Sequence, residues 1–174
     1  ESLDNVRDNL IIACSTGLRI SDFLNKLDLS NFIDDYIEIK TTKTKTPVII
    51  PIHRKVKNIL LKRNGKLPKK ISDPKFNKYV KDVCKKAGLT KEIKGRKFDS
   101  ETKRKVAGIY KKYELVTSHI GRKSFATNLY GKIDLHIISS ILGHSTTNQT
   151  MDYIKKGNIE YAMKLKEHWE SKTT

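Results

Sequence analysis

The last third of the chain carries two histidines, an arginine and a tyrosine in a fixed order. His119 and Arg122 lie three residues apart, and His144 precedes Tyr153 by nine residues. A phenol attacks phosphorus only when one group removes its proton and others stabilise the oxyanion that forms, and histidine and arginine suit these tasks. Ionising a phenol of ordinary pKa costs roughly 4 kcal/mol at neutral pH, which nearby cations can offset. This order of residue types therefore points to phosphoryl-transfer chemistry.

Each of these residues also has an ordinary structural interpretation. An isolated H-x-x-R pair on a helix is more often a solvated polar face, and a lone tyrosine is more often a half-buried aromatic. His144 follows Gly143 in a tight turn, where a histidine equally well binds a helix-end carbonyl. Chemistry is favoured over these alternatives only when further motifs join the set.

Two residues nearer the N-terminus complete the candidate set. Arg19 follows Gly17 at the start of a predicted helix, and Lys43 lies in the turn of a predicted basic hairpin. Lys40 and Lys45 lie close to Lys43. Of the three lysines, Lys43 is preferred as the candidate because of its register against Val48, Ile50 and Pro51 of the second strand.

The elements that position these residues are predicted from hydrophobic periodicity. A pattern typical of helices covers 2–16, 20–27, 53–62, 73–87, 118–130, 134–142 and 158–169, and two strands at 36–40 and 47–51 form a hairpin. Gly17 and Gly88 stand where two of these helices end. The pattern predicts one mainly α domain with a small antiparallel β-sheet, an α+β fold.

Signals at helix starts refine the placement of the candidate residues. Ser118 is predicted to cap a helix whose first turn then directs His119 and Arg122 to one side. Thr146 and Gln149 have the spacing of a capping box, which predicts a helix bearing Tyr153. On the preceding helix, Ile137, Ile138 and Ile141 are expected to face the core.

Residues 89–113 are the least regular part of the sequence. They are expected to form a basic loop or an irregular hairpin that ends in a short strand at 108–110. Contact with DNA phosphates and plain solvation both remain open for its cations, which are Lys94, Arg96, Lys97, Lys103, Arg104 and Lys105.

Composition limits the class of protein. The 174 residues carry a formal charge of +17, spread along the chain, and this favours a polyanionic partner, nucleic acid by default. No apolar run is long enough for a membrane span, and no signal-peptide pattern is present. Cys14 and Cys84 are too far apart to suggest a zinc site, and no acidic cluster has metal-ligand spacing. We expect a protein of a reducing cytoplasm that acts on nucleic acid.

Taken together, the motifs resemble those of the tyrosine recombinase (phage-type integrase) family over nearly the whole length. The matching order is TGLR, a hairpin lysine, H-x-x-R, LGH and a tyrosine nine residues later. The resemblance implies the architecture of that family's catalytic domain. It also implies a site-specific recombinase or integrase of a mobile element, which cleaves and rejoins DNA through a 3′-phosphotyrosyl intermediate without cofactor, metal or ATP.

The resemblance assigns a role to each matching residue. Tyr153 would attack the scissile phosphate, Arg19 and Arg122 would clamp its non-bridging oxygens, and His144 would add a hydrogen bond to the same phosphate. The planar guanidinium fork matches phosphate geometry, so these assignments agree with elementary chemistry.

Two further roles concern protons. By the same resemblance, Lys43 would protonate the leaving 5′-oxygen and His119 would help to remove the proton of Tyr153. The family often has glutamate where this chain has Asp22, and this difference bears on the orientation of Arg19.

The resemblance also sets the expected context of the chain. Residues 1–174 would form a single catalytic domain, monomeric and weakly DNA-binding alone, and core-binding and arm-binding domains would lie outside it. The full-length protein would assemble as a homo-tetramer on double-stranded DNA. The final helix, with Ile159, Ala162, Met163 and Leu165, would pack either on its own core or on a neighbouring protomer.

Other functions remain as alternatives. A type IB topoisomerase or a telomere resolvase uses the same residue types, and a DNA-binding regulator can keep the fold without catalysis. The LGHS motif and compact size favour the recombinase. A regulator has no need of the nucleophile.

Overall fold

The described part of the chain is mainly helical, as predicted, and has two small antiparallel sheets where one was expected. A computed structural model describes residues 2–43, 45, 47–154 and 158–170. Its helices are α1 Leu3–Thr16, α2 Ile20–Asn25, α3 Arg54–Lys62, α4 Asp73–Lys86, α5 Ile120–Leu129, α6 Leu135–Leu142, α7 Thr147–Met151 and α8 Asn158–Glu170. Its strands are β1 Phe32–Ile33, β2 Tyr36–Lys40, β3 Pro47–Pro51, β4 Glu92–Phe98 and β5 Lys105–Lys111. None of the described helices is long and apolar enough to cross a lipid bilayer.

Helix α1 lies at the centre and packs against α3, α4 and α5. Its contact with α5 is close because Gly121 has no side chain: a Cβ there would lie 2.7 Å from the Cβ of Ala13. Apolar side chains of α1 are fully buried at Val6 and Ile12, in one core with Phe76 of α4. The packing of α1 on α5 brings the end of α1 to the start of α5.

Gly17 ends α1, as its position in the sequence predicts. Its φ of +65° lies in the left-handed region, which glycine adopts without strain. A Cβ at this position would also lie 2.7 Å from the ring of Phe125. Both constraints favour glycine here, and the sharp turn directs the chain into α2.

The three-stranded sheet has the order β1-β2-β3 and contains the predicted hairpin. Ile37 pairs with Ile50 and Ile39 pairs with Val48, and all four side chains are buried on one face of the sheet. The last pair, Lys40 with Pro47, leaves a turn that contains Lys43. The short edge strand β1 was not predicted.

The prediction of an irregular segment over 89–113 is wrong. Strands β4 and β5 form a regular hairpin of seven paired residues, of which only part of β5 was predicted. Gly95 pairs with Gly108, and a Cβ on Gly95 would lie 2.4 Å from the side chain of Leu115, which occupies that space. A strand is normally predicted from the alternation of apolar and polar residues. Here glycines and lysines occupy several of the positions where apolar residues would be expected.

Three local predictions in the C-terminal half also fail. Ser118 does not cap α5, since Asn77 of α4 holds its backbone N–H and hydroxyl instead, and α5 begins at Ile120. Ile137 is 52% exposed, although Ile138 is buried as predicted. The capping box does not form because Gln149 donates to the hydroxyl of Ser145 at 3.2 Å.

A second, smaller core joins α5 and α6 to the segment after α7. Phe125 and Ala126 of α5 pack with Ile138 and Leu142 of α6, and Ile154 completes the cluster. Because Ile154 is buried in this core, the residue before it is held close to α5 and α6.

Candidate active site

Arg122 is the residue around which the candidate site is built. It lies in the first turn of α5 and is only 4% exposed. Its Nη1 donates to the carbonyl of Gly17 at 2.8 Å, and its Nη2 donates to the carbonyl of Leu142 and to Nε2 of His144. One guanidinium therefore joins the end of α1 to the end of α6. Burial above all, and then the charge of Arg19, lower the pKa of Arg122 to about 10, so it stays protonated at neutral pH.

Arg19 approaches the same point from the start of α2. Its Nη2 lies 3.4 Å from the carbonyl of Gly143, the left-handed residue that ends α6. The two guanidiniums are close enough for each to feel the charge of the other, and the charge of Asp22 offsets part of this repulsion at Arg122.

Unsatisfied polar atoms mark the same place. In the described part of the chain, three buried side-chain atoms have no hydrogen-bond partner, namely Nη1 of Arg19, Nε of Arg122 and Oδ2 of Asp22. Buried polar groups are nearly always paired in folded proteins, so two free guanidinium donors at one site call for an acceptor. An oxyanion supplies such acceptors and also relieves the repulsion between the arginines.

His144 lies directly after α6, where Gly143 turns the chain. Its Nε2 is 2.8 Å from Nη2 of Arg122, and its Nδ1 is 2.8 Å from the hydroxyl of Thr150. Burial, and then the charges of Arg122 and Arg19, lower the pKa of His144 from 6.5 to about 4. The imidazole is therefore neutral at neutral pH in the protein without a ligand.

Tyr153 lies beside both of these groups. Its ring centroid is 5.3 Å from that of His144, and the guanidinium carbon of Arg122 is 5.7 Å from the centre of its ring. The expectation that a helix bears Tyr153 is wrong, because α7 ends at Met151. A tighter turn continues the chain instead, and Thr127 of α5 donates to the carbonyl of Tyr153 at 3.2 Å.

Lys43 is exposed in the turn after β2, outside this cluster. Thr42, the residue before it, donates through its backbone N–H and its hydroxyl to Oδ1 of Asp22, at 2.7 and 2.6 Å. Asp22 is fully buried on α2, the helix that Arg19 opens. Asp22 therefore holds the Lys43 turn against α2. Its other oxygen, Oδ2, has no hydrogen-bond partner, so an effect on the orientation of Arg19 stays a prediction.

His119 is exposed at the start of α5, whereas Arg122 is buried. None of the side-chain contacts described for Arg122, His144 and Tyr153 includes His119. The structure thus brings four of the six candidates together, Arg19, Arg122, His144 and Tyr153. Lys43 and His119 lie outside the cluster.

Sequence reasoning missed three polar residues that support the cluster. Thr150 and Ser139 are buried behind His144, and Thr127 holds the backbone of Tyr153. The spacing of six residues from His144 to Thr150 carries no signal of its own, because contact depends on the turn between α6 and α7. Among the described residues, no three His, Cys, Asp or Glu side chains converge as metal ligands.

The chain matches one protein family along most of its length. The family described as the phage integrase family matches residues 4–158. A curated relative, tyrosine recombinase XerA of Pyrococcus furiosus, is 31% identical over 160 residues, which cover 87% of this chain. The match spans 51% of that relative, so the chain corresponds to about half of its length.

Solved structures share the fold. A lambda integrase dimer bound to a core site has a TM-score of 0.63 and 19% identity, over 89% of this chain and 53% of that one. The Tn1549 transposon integrase in complex with transposon right end DNA has a TM-score of 0.56 and 16% identity, over 96% and 59%. At such identities the likeness concerns the fold alone.

Proposed function

Because the chain belongs to the phage integrase family of tyrosine recombinases, we propose that it is the catalytic domain of a site-specific DNA recombinase. In this proposal Tyr153 cleaves one DNA strand at a phosphodiester and later returns the strand to a new 5′-hydroxyl. The observation that carries the proposal is the pair of neighbouring guanidiniums of Arg122, which is buried, and Arg19, which is half-buried. Each has one buried donor without a partner, and Arg122 lies against the ring of Tyr153.

The scissile phosphate occupies the place between the two arginines. Its non-bridging oxygens accept the hydrogen bonds that Nη1 of Arg19 and Nε of Arg122 lack. Negative charge grows on these oxygens as the phosphorus becomes pentacoordinate, and fixed donors in a buried site stabilise it without reorganising. The phosphate also separates two like charges, which favours its binding.

The bond changes balance without an added reagent. The phenol oxygen of Tyr153 forms a bond to phosphorus while the bond from phosphorus to the 5′-oxygen breaks. The products are a 3′-phosphotyrosyl link and a 5′-hydroxyl. Rejoining reverses these changes with the 5′-hydroxyl of another strand, so the free energy of the phosphodiester is retained.

The roles of two groups in the proton transfers remain predictions. Lys43 is proposed to protonate the 5′-oxygen, and the bonds of Thr42 to Asp22 support this role because they hold the lysine's turn against the helix of Arg19. His119 is proposed to help remove the proton of Tyr153. His119 is exposed at the start of α5, and this role requires its imidazole to come within hydrogen-bonding distance of the phenol, directly or through one water.

The substrate is proposed to be double-stranded DNA, and the full-length protein is proposed to act as a homo-tetramer in the bacterial cytoplasm. The formal charge of +17 supports a polyanionic substrate. A role in a mobile element is part of the proposal and rests on the resemblance of the motifs to those of the phage integrase family.

Covalent trapping tests the proposal without knowledge of the target site. The full-length protein is incubated in EDTA with a pool of nicked duplexes of randomised sequence. After cleavage, the short fragment between the cleavage site and the nick diffuses away with the 5′-hydroxyl, and its loss prevents rejoining. Protein–DNA adducts are then isolated under denaturing conditions, and their DNA is sequenced. We expect an adduct enriched for one short sequence.

Two tyrosine variants provide the comparison. Tyr153→Phe removes the nucleophile and is expected to abolish the adduct, whereas Tyr36→Phe, at an exposed position of β2, is expected to leave it unchanged. An adduct that persists in Tyr153→Phe contradicts the assignment of the nucleophile. Absence of any adduct in the wild-type protein favours a DNA-binding regulator.

A further inference from the structure

Behind His144, two buried hydroxyls form a chain of hydrogen bonds that ends on a helix carbonyl. Nδ1 of His144 lies 2.8 Å from Oγ1 of Thr150, which lies 2.7 Å from Oγ of Ser139. The Ser139 hydroxyl donates to the carbonyl of Leu135 at 2.7 Å. Thr150 is fully buried and Ser139 is 5% exposed. The hydroxyls therefore form their hydrogen bonds with protein groups and not with solvent.

The direction of every bond in this chain follows from its last member. A carbonyl oxygen only accepts, so the single hydroxyl proton of Ser139 goes to Leu135. Ser139 must then accept from Thr150, and Thr150, having given its only proton, must accept from His144. Nδ1 of His144 therefore carries a proton.

The other side of the imidazole gives the same result independently. Nε2 of His144 faces Nη2 of Arg122 at 2.8 Å, and a guanidinium only donates. Nε2 must therefore present its lone pair. A neutral imidazole has one proton to place, and both ends of the network place it on Nδ1.

We propose that Thr150 and Ser139 are positioning residues of the cleavage reaction, which hold His144 in the Nδ1–H tautomer and leave Nε2 as its proton-accepting nitrogen. This inference rests on the proposed function. For His144 to donate to the scissile phosphate, Nη2 of Arg122 must leave Nε2 and turn to the phosphate as well, and the hydroxyl chain then alone defines the tautomer. When Nε2 then takes up a proton from solvent and donates it in a hydrogen bond to the phosphate, the bond from Nδ1 to Thr150 is unchanged.

Thr150 and Ser139 also contact the site through their backbones, which bind the backbones of His144 and Tyr153. The carbonyl of Ser139 accepts from the N–H of His144 at 2.9 Å, and the carbonyl of Thr150 accepts from the N–H of Tyr153 at 3.0 Å. Side-chain substitutions keep these backbone bonds. Such variants therefore separate the effect of the hydroxyls from the folding of the two turns.

The tautomer is measured directly by long-range proton–nitrogen NMR spectra of the 174-residue chain labelled with ¹⁵N-histidine, with His144→Gln identifying the signals. We expect a protonated Nδ1 and an unprotonated Nε2 in the wild-type chain. Thr150→Val keeps the shape but loses the hydroxyl, and Ser139→Ala frees the proton of Thr150, so both are expected to give mixed tautomers. Thr150→Ser keeps a hydroxyl and is expected to restore the Nδ1–H form.

Adduct formation by the full-length protein is then compared across the same variants. Thr150→Val and Ser139→Ala are expected to slow cleavage on the order of 10- to 100-fold, by analogy with the loss of the partner that orients a metal-bound histidine. Thr150→Ser should recover most of the rate. Ser140→Ala, an exposed position on the same helix, is the matched control and should change neither readout.

The outcomes distinguish this inference from the proposed function. A protonated Nε2 in the wild-type chain, or an unchanged tautomer in both Thr150→Val and Ser139→Ala, overturns the inference whatever the cleavage rates. Failure of every protein, including wild type, to form an adduct contradicts the proposed function, while the NMR result still decides the tautomer. If Thr150→Val does not fold, Ser139→Ala and Thr150→Ser carry the test.

Discussion

The chain uses positive charge in two opposite ways. At the candidate active site Arg19 and Arg122 are drawn together, and Arg122 is almost completely buried. On the β4–β5 hairpin the cations are spread along an exposed face, where Lys94 and Arg96 alternate with side chains that point to the other side. The first group is dense and has fixed geometry, whereas the second is open to solvent.

The physical consequences differ accordingly. A buried guanidinium is weakly screened by salt, and its fixed donors give it a directional role. Exposed cations act through counterion release, with little dependence on which residue supplies the charge. Lys97 shows that position on the hairpin matters, because it lies on the inner face and pairs with Glu114 at 2.7 Å.

The difference between the active-site arginines and the hairpin cations is tested most sharply by the same substitution, arginine to lysine, in each region. Arg122→Lys keeps the charge but loses the fork that reaches Gly17, Leu142 and His144 together. We expect cleavage to fall on the order of 10³-fold. Arg96→Lys on the hairpin should stay within about twofold of wild type, because an exposed charge is kept. Equal losses in single-turnover adduct formation would remove the distinction between the two regions.

Lys43 is an intermediate case. It is an exposed cation, but its turn is held by the hydrogen bonds of Thr42 to the buried Asp22. Lys43→Ala is expected to slow cleavage by about 10²-fold or more, because the 5′-oxygen leaves without its proton. A substrate with sulfur in place of that oxygen needs no general acid, since a thiolate leaves readily. The variant should cleave it at close to the wild-type rate.

The same substrate separates Lys43 from its neighbours. Lys40→Ala and Lys45→Ala are expected to cleave both substrates like wild type. If the sulfur substrate instead restores activity to Lys40→Ala or Lys45→Ala alone, that lysine is the general acid.

The smallest effect is expected on the hairpin. Changing Lys94, Arg96, Lys105 and Lys111 to glutamine removes the cations of the exposed face. If each touches one phosphate, the slope of log affinity against log salt falls by up to about 3.6, while cleavage of bound DNA is unchanged. Lys97→Gln on the inner face is the control and should leave the slope as in wild type. An unchanged slope in the fourfold variant favours a merely solvated hairpin.

The sequence predicted most helices because each buries an apolar stripe. The α6 start at Asp134 and the α1 end at Gly17 follow from local capping, and both are found. The α5 start was wrong because Asn77, far away in sequence, engages Ser118. Competition of this kind is tertiary and leaves no local pattern.

Much the same holds for the candidate site. Residue types and order singled out Arg19, Arg122, His144 and Tyr153, which the fold brings together. The hydroxyl chain behind His144 was not foreseen, because Ser139 and Thr150 are eleven residues apart and meet only through the turn that follows Gly143. Arg122 donates to Nε2 of His144, and the burial that fixes its position depends on the packing of α1 on α5.

The central claim, that Tyr153 becomes linked to DNA, is tested most directly by mass spectrometry of the trapped adduct. Trypsin releases residues 133–155 as one peptide, and Tyr153 is its single tyrosine. After nuclease treatment, this peptide is expected to carry the mass of a 3′-nucleotide, with fragmentation locating it on Tyr153. A nucleotide on any other peptide, or a modified peptide in which Tyr153 is unchanged, would contradict the claim.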